Sequence, residues 1–322
     1  MKTFTLRTAA FALAATFAAG AAQAAYPERP IQLIVPWAAG GGTDSVARFL
    51  ATGLEQELGK PVNVVNRPGA GGVIGHTAIA RARADGYTIG LATAELATYH
   101  WMKTSPTSYK DMQAISQVNF DAAGFSVHAD SPWQDVNAAF EAIKAEPGKY
   151  KLSGIPTGAA YHLALARALN DAGINPRNVV VVPSQGAAPG FQELAAGGVQ
   201  MVTSAVPEGK SMRDAGIIKT LAVIADERLE AYPDIPTLGE VTGRPLSAGT
   251  WRGLIGPKGM PEEAVTRLAE ATRKVTETEQ FKELMGKAGF GVKWSNPADF
   301  EAFMAESDAS SGELIKQLEL VR

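Results

Sequence analysis

The chain has 322 residues, of which 46 % are apolar and 20 % are charged, a composition typical of globular proteins. A chain of this length usually forms more than one hydrophobic core, so we expect two domains. The formal net charge of −3, without a basic run, argues against nucleic-acid binding. The sequence contains no cysteine, which excludes disulfides, thiol catalysis, thiolate metal sites and a lipid-modified cysteine.

Residues 1–24 have the pattern of a secretory signal peptide. Lys2 and Arg7 are basic, Ala9–Ala19 is apolar, and Ala22-Gln23-Ala24 supplies the small residues that signal peptidase reads. No apolar run in the sequence reaches the length of about 20 residues that a membrane-spanning helix needs. The pattern predicts cleavage after this segment and a periplasmic protein without stable membrane insertion. An uncleaved anchor is the alternative.

Strands and helices are predicted to alternate in the first third of the mature chain. Ile31–Val35, Val62–Val65 and Tyr87–Leu91 have the short apolar runs of buried strands. Apolar residues at helical spacing follow the first strand, with Thr43 or Asp44 as the predicted helix cap. An alanine-rich helix follows the second strand. This order implies parallel strands joined by right-handed crossovers.

The same alternation returns in a second block at about 124–245, and the last third of the chain is mostly helical. Val179–Val182 is the clearest buried strand of this block. Two such blocks leave a cleft between them, and ligands of open α/β sheets bind outside the carboxyl ends of the strands. The other elements predicted in the second block are helices at Val136–Ala145, Ala159–Ala172, Phe191–Ala195 and Pro207–Ala215, and strands at Lys151–Ser153, Val199–Val202 and Thr220–Ile224.

Three glycine-rich loops precede predicted helices. They are Gly40-Gly41-Gly42, Gly69-Ala70-Gly71-Gly72 and the segment Gly154–Gly158. The first turn of a helix exposes unpaired backbone N–H groups, and glycine lets a ligand approach the main chain closely. Such loops are suited to binding an anion. The alternative is that the glycines only form tight turns between strands and helices.

The sequence lacks the motifs of phosphate, dinucleotide and metal sites. No loop ends as a P-loop, and Gly69, Gly71 and Gly75 are spaced one residue too widely for a dinucleotide fingerprint. The four histidines share no metal-ligand spacing, so we predict neither a cofactor nor a metal. There is no G-x-S-x-G motif either. A hydrolase that pairs Ser153 or Ser204 with His162 remains the alternative to a binding protein.

Individual side chains near the loops each have two interpretations. Asp44 is a helix cap or a contact to an ammonium group of a ligand. His162 is a packing histidine or a base, and Trp37 and Trp251 belong to the core or line a cleft.

Several motifs together resemble one family of receptors. The first of them are Tyr26-Pro27-Glu28-Arg29-Pro30-Ile31, the segment Pro36–Asp44, Asn66–Gly75 and Ala84-Asp85-Gly86-Tyr87-Thr88. The later motifs are Glu146–Tyr150, His162-Leu163-Ala164, Val182-Pro183 with Gly186 and Ala188-Pro189, Pro233–Leu238, and Trp251-Arg252-Gly253-Leu254 with Pro257. In this order they resemble the TctC/Bug-type solute receptors of tripartite tricarboxylate transporters, from about residue 26 to residue 322.

The resemblance implies a type II periplasmic-binding-protein fold, with two doubly wound α/β lobes, a cleft and two hinge crossings. It implies one lobe of residues 25–122 and 247–322, and a second of residues 123–246. It also implies that a small organic anion is bound mainly by main-chain amides, without an arginine clamp, and is delivered to a membrane permease by a monomeric protein. An alternative partner is a membrane sensor kinase.

The resemblance places ligand contacts at Ala39–Asp44, Pro68–Gly72 and Ser153–Ala159. With the side chains considered above, the predicted ligand-binding residues are Trp37, Ala39, Gly40, Gly41, Gly42, Thr43, Asp44, Pro68, Gly69, Ala70, Gly71, Gly72, Ser153, Gly154, Thr157, Gly158, Ala159, His162 and Ser204. No catalytic residue is predicted.

The chain departs from the family pattern in the second lobe. The third loop is about two residues longer than usual and has Ala159 where a threonine is expected. Ser184-Gln185 replaces Tyr-Lys, and Gln200 replaces an aspartate. The lost lysine removes a charge that could pair with a second carboxylate of a ligand.

Overall fold

The computed structural model describes residues 26–154 and 156–321. The predicted signal peptide, residues 1–24, and Ile155 of the third glycine loop lie outside these ranges. Among the helices that are described, none combines the length and the apolarity needed to cross a membrane.

The described ranges form nine strands and ten α-helices. The first part of the chain contains β1 (Ile31–Val35), α1 (Gly42–Leu58), β2 (Val62–Asn66), α2 (Val73–Ala80), β3 (Thr88–Thr93) and β4 (Met112–His128). The middle part contains α3 (Val136–Ala145), β5 (Lys151–Ser153), α4 (Ala160–Asp171), β6 (Val180–Val181), α5 (Ala187–Ala195), β7 (Met201–Ala205), α6 (Lys210–Asp214) and β8 (Ile218–Ile224). The last part contains α7 (Leu238–Thr242), β9 (Gly249–Pro257), α8 (Glu262–Glu277), α9 (Glu279–Ala288) and α10 (Pro297–Gln317).

The first sheet is built around β1, which pairs in parallel with β2 on one side and β3 on the other. Helices α1 and α2 make the crossovers, as the alternation of elements predicts. Strand β9 then adds to β3 in the antiparallel direction, with Arg252 opposite Thr93. This pairing brings a residue from late in the chain to the carboxyl end of β3.

The second sheet contains β5, β6, β7 and β8. Strand β5 pairs in parallel with β6 and β7, and β7 and β8 both run antiparallel to β4. Strand β4 therefore belongs to both sheets. Its residues Met112–Ala122 pair with β9, and from Ala123 onward it pairs with β7 and β8.

Each sheet has its own hydrophobic core. Leu33 of β1 is buried with Val46, Leu50 and Leu54, which repeat every four residues along α1 and so form one apolar face. In the second core, the rings of Phe125 of β4 and Phe140 of α3 meet edge to face with centroids 6.3 Å apart.

Some element predictions differ from the structure. The prediction of a buried strand at Val179–Val182 is wrong, because β6 contains two residues and Val180 is 41 % exposed. Strand β6 is the edge strand of its sheet, so these valines do not form a buried central strand. The prediction of Thr43 or Asp44 as the helix cap is wrong, because Gly41 is the N-cap residue of α1 and the helix begins at Gly42.

Candidate functional site

A pocket lies where the carboxyl ends of β1 and β3 face the loops that follow β5 and β7. Both sheets contribute to its wall, and the backbone N–H of Ala38 donates to the Gln185 carbonyl across it at 3.4 Å. The lining residues are Trp37, Ala38, Gly41, Gly42, Thr43, Thr93, Glu95, Gly154, Tyr161, Gly186, Ala187, Ala188, Pro189, Glu208, Thr250 and Arg252.

Five of the residues predicted from the sequence are in this lining: Trp37, Gly41, Gly42, Thr43 and Gly154. Ala39 and Gly40 belong to the same loop as Gly41. Trp251 lies elsewhere, where its ring packs edge to face against Phe300 and Phe303. The first glycine loop is therefore the one of the three that contributes most to the pocket.

Asp44 organises the first loop from inside the protein. Its carboxylate accepts hydrogen bonds from the Gly40 backbone N–H at 3.0 Å, Asn66 Nδ2 at 2.9 Å and Arg48 Nε at 3.0 Å. Burial alone would raise the pKa of Asp44, but these hydrogen bonds hold the pKa below its ordinary value. The carboxylate fixes the loop that precedes α1, and this differs from the predicted role as helix cap.

The second loop lies beside the third. Tyr99 Oη donates to the Gly71 carbonyl at 2.9 Å and also lies 2.8 Å from His76 Nδ1. Gly71 has φ +66°, and a Cβ atom there would lie 2.9 Å from Cγ of Pro156. Glycine is therefore needed both for the backbone and for the close approach of the two loops. The predicted residues Pro68, Gly69, Ala70 and Gly72 share this loop.

In the third loop, His162 Nδ1 accepts a hydrogen bond from the Gly158 backbone N–H at 2.9 Å. Burial lowers the pKa of His162 to about 4, so the ring is neutral and can accept at neutral pH. Ala159, the N-cap residue of α4, is buried, whereas Thr157 is exposed. His162 thus holds the loop in front of α4.

The two serines considered for a hydrolase have other partners. Ser153 Oγ donates to the Val182 carbonyl at 3.2 Å, and Ser204 Oγ donates to the Ala205 carbonyl at 3.3 Å. In the part of the chain that the structure describes, neither hydroxyl is hydrogen-bonded to His162. The same ranges contain no group of three His, Asp or Glu side chains able to hold a metal ion.

Arg252 is the largest fully buried side chain of the site, with 1 % of its surface exposed. Its Nη1 donates to Asn119 Oδ1 and Asp121 Oδ2, both at 2.6 Å, and its Nε donates to Thr43 Oγ1 at 3.0 Å. Burial alone would lower the pKa of Arg252, but the nearby acidic groups keep the pKa above its ordinary value. A permanent positive charge therefore lies at the base of the pocket.

Glu208 reaches Arg252 from the second sheet. Glu208 belongs to a single 3₁₀ turn, Val206–Gly209, that follows β7, and its Oε1 accepts from Arg252 Nη2 at 3.1 Å. A Cβ atom on Gly42 would overlap Glu208 Oε1 and would lie 2.8 Å from Arg252 Nη2. Gly42 therefore makes room for an ion pair between the two halves of the molecule.

A second buried acid, Glu95, lies in the 3₁₀ turn after β3 and accepts a hydrogen bond from the Thr93 hydroxyl. Burial raises the pKa of Glu95, although hydrogen bonds to its carboxyl oppose this effect. Burial likewise raises the pKa of Glu208, against the attraction of Arg252. The pocket thus holds two carboxyl groups and one guanidinium, an arrangement that can bind a polar solute.

The sequence analysis did not identify Glu95, Tyr161, Glu208 or Arg252 as site residues. The sequence did contain a signal for Arg252, because it is the one charged residue within β9. The two glutamates are separated by more than 100 residues, and they line one pocket only in the arrangement of both sheets, so no local pattern indicates them.

Known proteins of similar sequence and structure agree with this architecture. The family model described as tripartite tricarboxylate transporter family receptor (TctC) matches residues 46–320. A UPF0065 protein of Bordetella pertussis (strain Tohama I) is 31 % identical over 325 residues, which cover 99 % of each chain. The structure of the periplasmic binding protein BugD is 31 % identical and has a TM-score of 0.85, over 92 % of this chain and 99 % of that chain.

A third comparison concerns the fold alone. MatC of Rhodopseudomonas palustris, whose structure holds bound malate, is 23 % identical with a TM-score of 0.81, over 90 % of this chain and 100 % of that chain. Together with BugD, it confirms the fold class predicted from the sequence, the α/β type II periplasmic-binding-protein fold.

Proposed function

Because this chain belongs to the tripartite tricarboxylate transporter receptor family, we propose that it binds a small organic carboxylate in the pocket between its two halves. In this proposal, the protein acts in the periplasm and delivers the solute unchanged to the membrane permease of a tripartite tricarboxylate transporter. It works as a monomer, after removal of residues 1–24.

One observation carries the proposal: the first turn of α1 and the guanidinium of Arg252 meet at one pocket. The first N–H groups of a helix have no partners within the helix and bear partial positive charge. Gly41 and Gly42 have no side chains of their own that would cover these groups, and both residues line the pocket. A solute carboxylate bound there gains charge-assisted hydrogen bonds of about 1.5–3 kcal/mol each.

The lobes of the proposed receptor are residues 25–122 with 247–322, and residues 123–246. The change of partners along β4 between Ala122 and Ala123 supports this division, as does the return of the chain into β9 at Gly249. We place the hinge at these two crossings. The solute favours the closed arrangement because it contacts both lobes at once.

Thermal unfolding with a panel of mono- and dicarboxylates, aromatic acids and amino acids tests the proposal. A solute present at 100 times its dissociation constant stabilises the folded protein by about 2.7 kcal/mol. Candidate solutes should raise Tm and should be recovered unchanged after incubation. If no compound of the panel raises Tm, or if one is chemically converted, the proposed function is wrong.

A further inference from the structure

We propose that the solute is an amino carboxylate, which places a cationic nitrogen against Glu208 while its carboxylate faces α1 and Arg252. This inference names the solute class for the site and therefore rests on the proposed function. It assigns to Glu208 the role of selecting between amino acids and dicarboxylates.

The first step of the argument is the balance of charge. Arg252 is the single cationic side chain among the residues that line the described pocket, and it is already paired with Asp121 and Glu208. Glu95 adds a further carboxyl group to the wall. A dicarboxylate would bring two more negative charges into this surrounding, at a cost that is large where water is excluded. An amino carboxylate adds no net charge.

The second step concerns the donors of Arg252. Four of its five N–H groups donate to acceptors of the described chain: Thr43, Asn119, Asp121 and Glu208. The guanidinium therefore cannot form the bidentate pair that would make it a strong receptor for a second carboxylate. It can support one carboxylate beside the first turn of α1.

The third step is the carboxyl group of Glu208 in the pocket wall. Burial raises the pKa of Glu208, and Arg252 together with hydrogen bonds from the Tyr161 hydroxyl and the Ala205 backbone N–H opposes this effect. Only 6 % of the Glu208 side chain is exposed. A carboxylate has about four acceptor positions, so Glu208 can accept one further hydrogen bond, and the ammonium of an amino carboxylate can donate it.

Matched pairs of solutes test the inference by isothermal titration calorimetry. Each pair differs by one replacement of a carboxylate with an ammonium: β-alanine against succinate, γ-aminobutyrate against glutarate, and α-amino acids against the corresponding alkylmalonates. We expect the amino member to bind at least about tenfold more tightly in the best pair, as one hydrogen bond to a charged group predicts.

The substitution Glu208→Gln separates selection from folding. It keeps an acceptor for Arg252 and removes the negative charge, so we expect amino acids to bind about tenfold more weakly and dicarboxylates to bind more tightly. Glu227→Gln makes the same chemical change at an exposed position and should leave both affinities as in the native protein.

The possible outcomes separate the two proposals. Tighter binding of the dicarboxylate member in every pair overturns the amino-acid inference and leaves the proposed function standing. An unchanged ratio of affinities in Glu208→Gln overturns the role of Glu208. If neither member of any pair binds while another carboxylate of the wider panel raises Tm, the inference is overturned and the proposed function stands; if no carboxylate of the panel binds, both are wrong.

Discussion

Glu208 Oε1 and Arg252 Nη2 lie 3.1 Å apart, and this ion pair joins the two sheets of the molecule at the base of the pocket. Its two side chains are 6 % and 2 % exposed, so water screens their interaction very little. The pair meets directly over Gly42, in the first turn of α1. The solute site and the contact between the halves therefore share the same residues.

Loss of the Arg252 charge should destabilise the protein strongly. In Arg252→Met, the buried carboxylates of Asp121 and Glu208 lose their common partner, and we expect the free energy of unfolding to fall by about 3–5 kcal/mol. Urea denaturation measures the change. The matched control is Arg273→Met, which removes a surface ion pair with Glu277 and should cost less than about 1 kcal/mol. Equal effects in the two variants would show that the buried network contributes little.

A methyl group at Gly42 should disturb the site directly. In Gly42→Ala, the new Cβ overlaps Glu208 and crowds Arg252, so we expect a cost of about 1–3 kcal/mol and a loss of solute binding. Calorimetric titration and urea denaturation measure the two effects. In Gly286→Ala, within α9, the Cβ has no heavy atom within 4 Å. That control should keep native affinity and be stabilised by about 0.5–1 kcal/mol. If Gly42→Ala binds the solute with native affinity, the first turn of α1 does not contact the solute.

Loss of the contact between the second and third loops should weaken solute binding, whereas backbone strain alone should only lower stability. Gly71 and Gly148 both have positive φ, +66° and +78°, but only the Gly71 Cβ position meets another residue within 4 Å, namely Pro156. Alanine at either position should cost about 1–2 kcal/mol in stability. We expect Gly71→Ala also to weaken solute binding by about tenfold, because the two loops can no longer approach. Equal affinities in the two variants would contradict a closing contact between these loops.

The buried His162 predicts a loss of stability in mild acid. Its pKa is about 4 in the folded protein and 6.5 in the unfolded chain, so between these values the unfolded chain binds more protons. Stability therefore falls as the pH drops from 6.5 toward 4, by about 3 kcal/mol in total. His162→Asn keeps an acceptor for the Gly158 N–H and does not titrate, so this part of the pH dependence should disappear.

Urea denaturation at several pH values between 4.5 and 7 checks this prediction. His76, whose pKa burial lowers to about 3, is present in both proteins and cancels in the comparison. His128→Asn is the control, because 36 % of that side chain is exposed and burial is the cause of the effect. A His162→Asn variant with the native pH dependence would assign the acid sensitivity to other groups.

The sequence predicted the elements whose signals are local. The family and the fold class are confirmed, and β1, β5 and α1 lie close to where short apolar runs, glycines and helical spacing placed them. These signals work because backbone preference and burial act over a few neighbouring residues. The valines around β6 show the limit, since a run of apolar residues does not tell a sheet edge from its centre.

Such local signals did not predict the long strand β4 or the contacts between residues that are far apart in the sequence. Strand β4, Met112–His128, has no single apolar period, because its neighbours change along its length. Glu95, Glu208 and Arg252 converge only after both sheets have formed. Asp44 was noticed for its position at a helix start, and its actual partners, Gly40 and Asn66, include one from the next strand.

The shared strand β4 limits how this protein can be divided. Severing the chain after Ala122 would separate residues that pair with β9 from residues that pair with β7 and β8. Either fragment, expressed alone, would present an unpaired row of backbone groups that invites aggregation. Attempts to obtain one half as an autonomous module, or to graft it onto another receptor, therefore need to carry the whole of β4 with its neighbours from both sides.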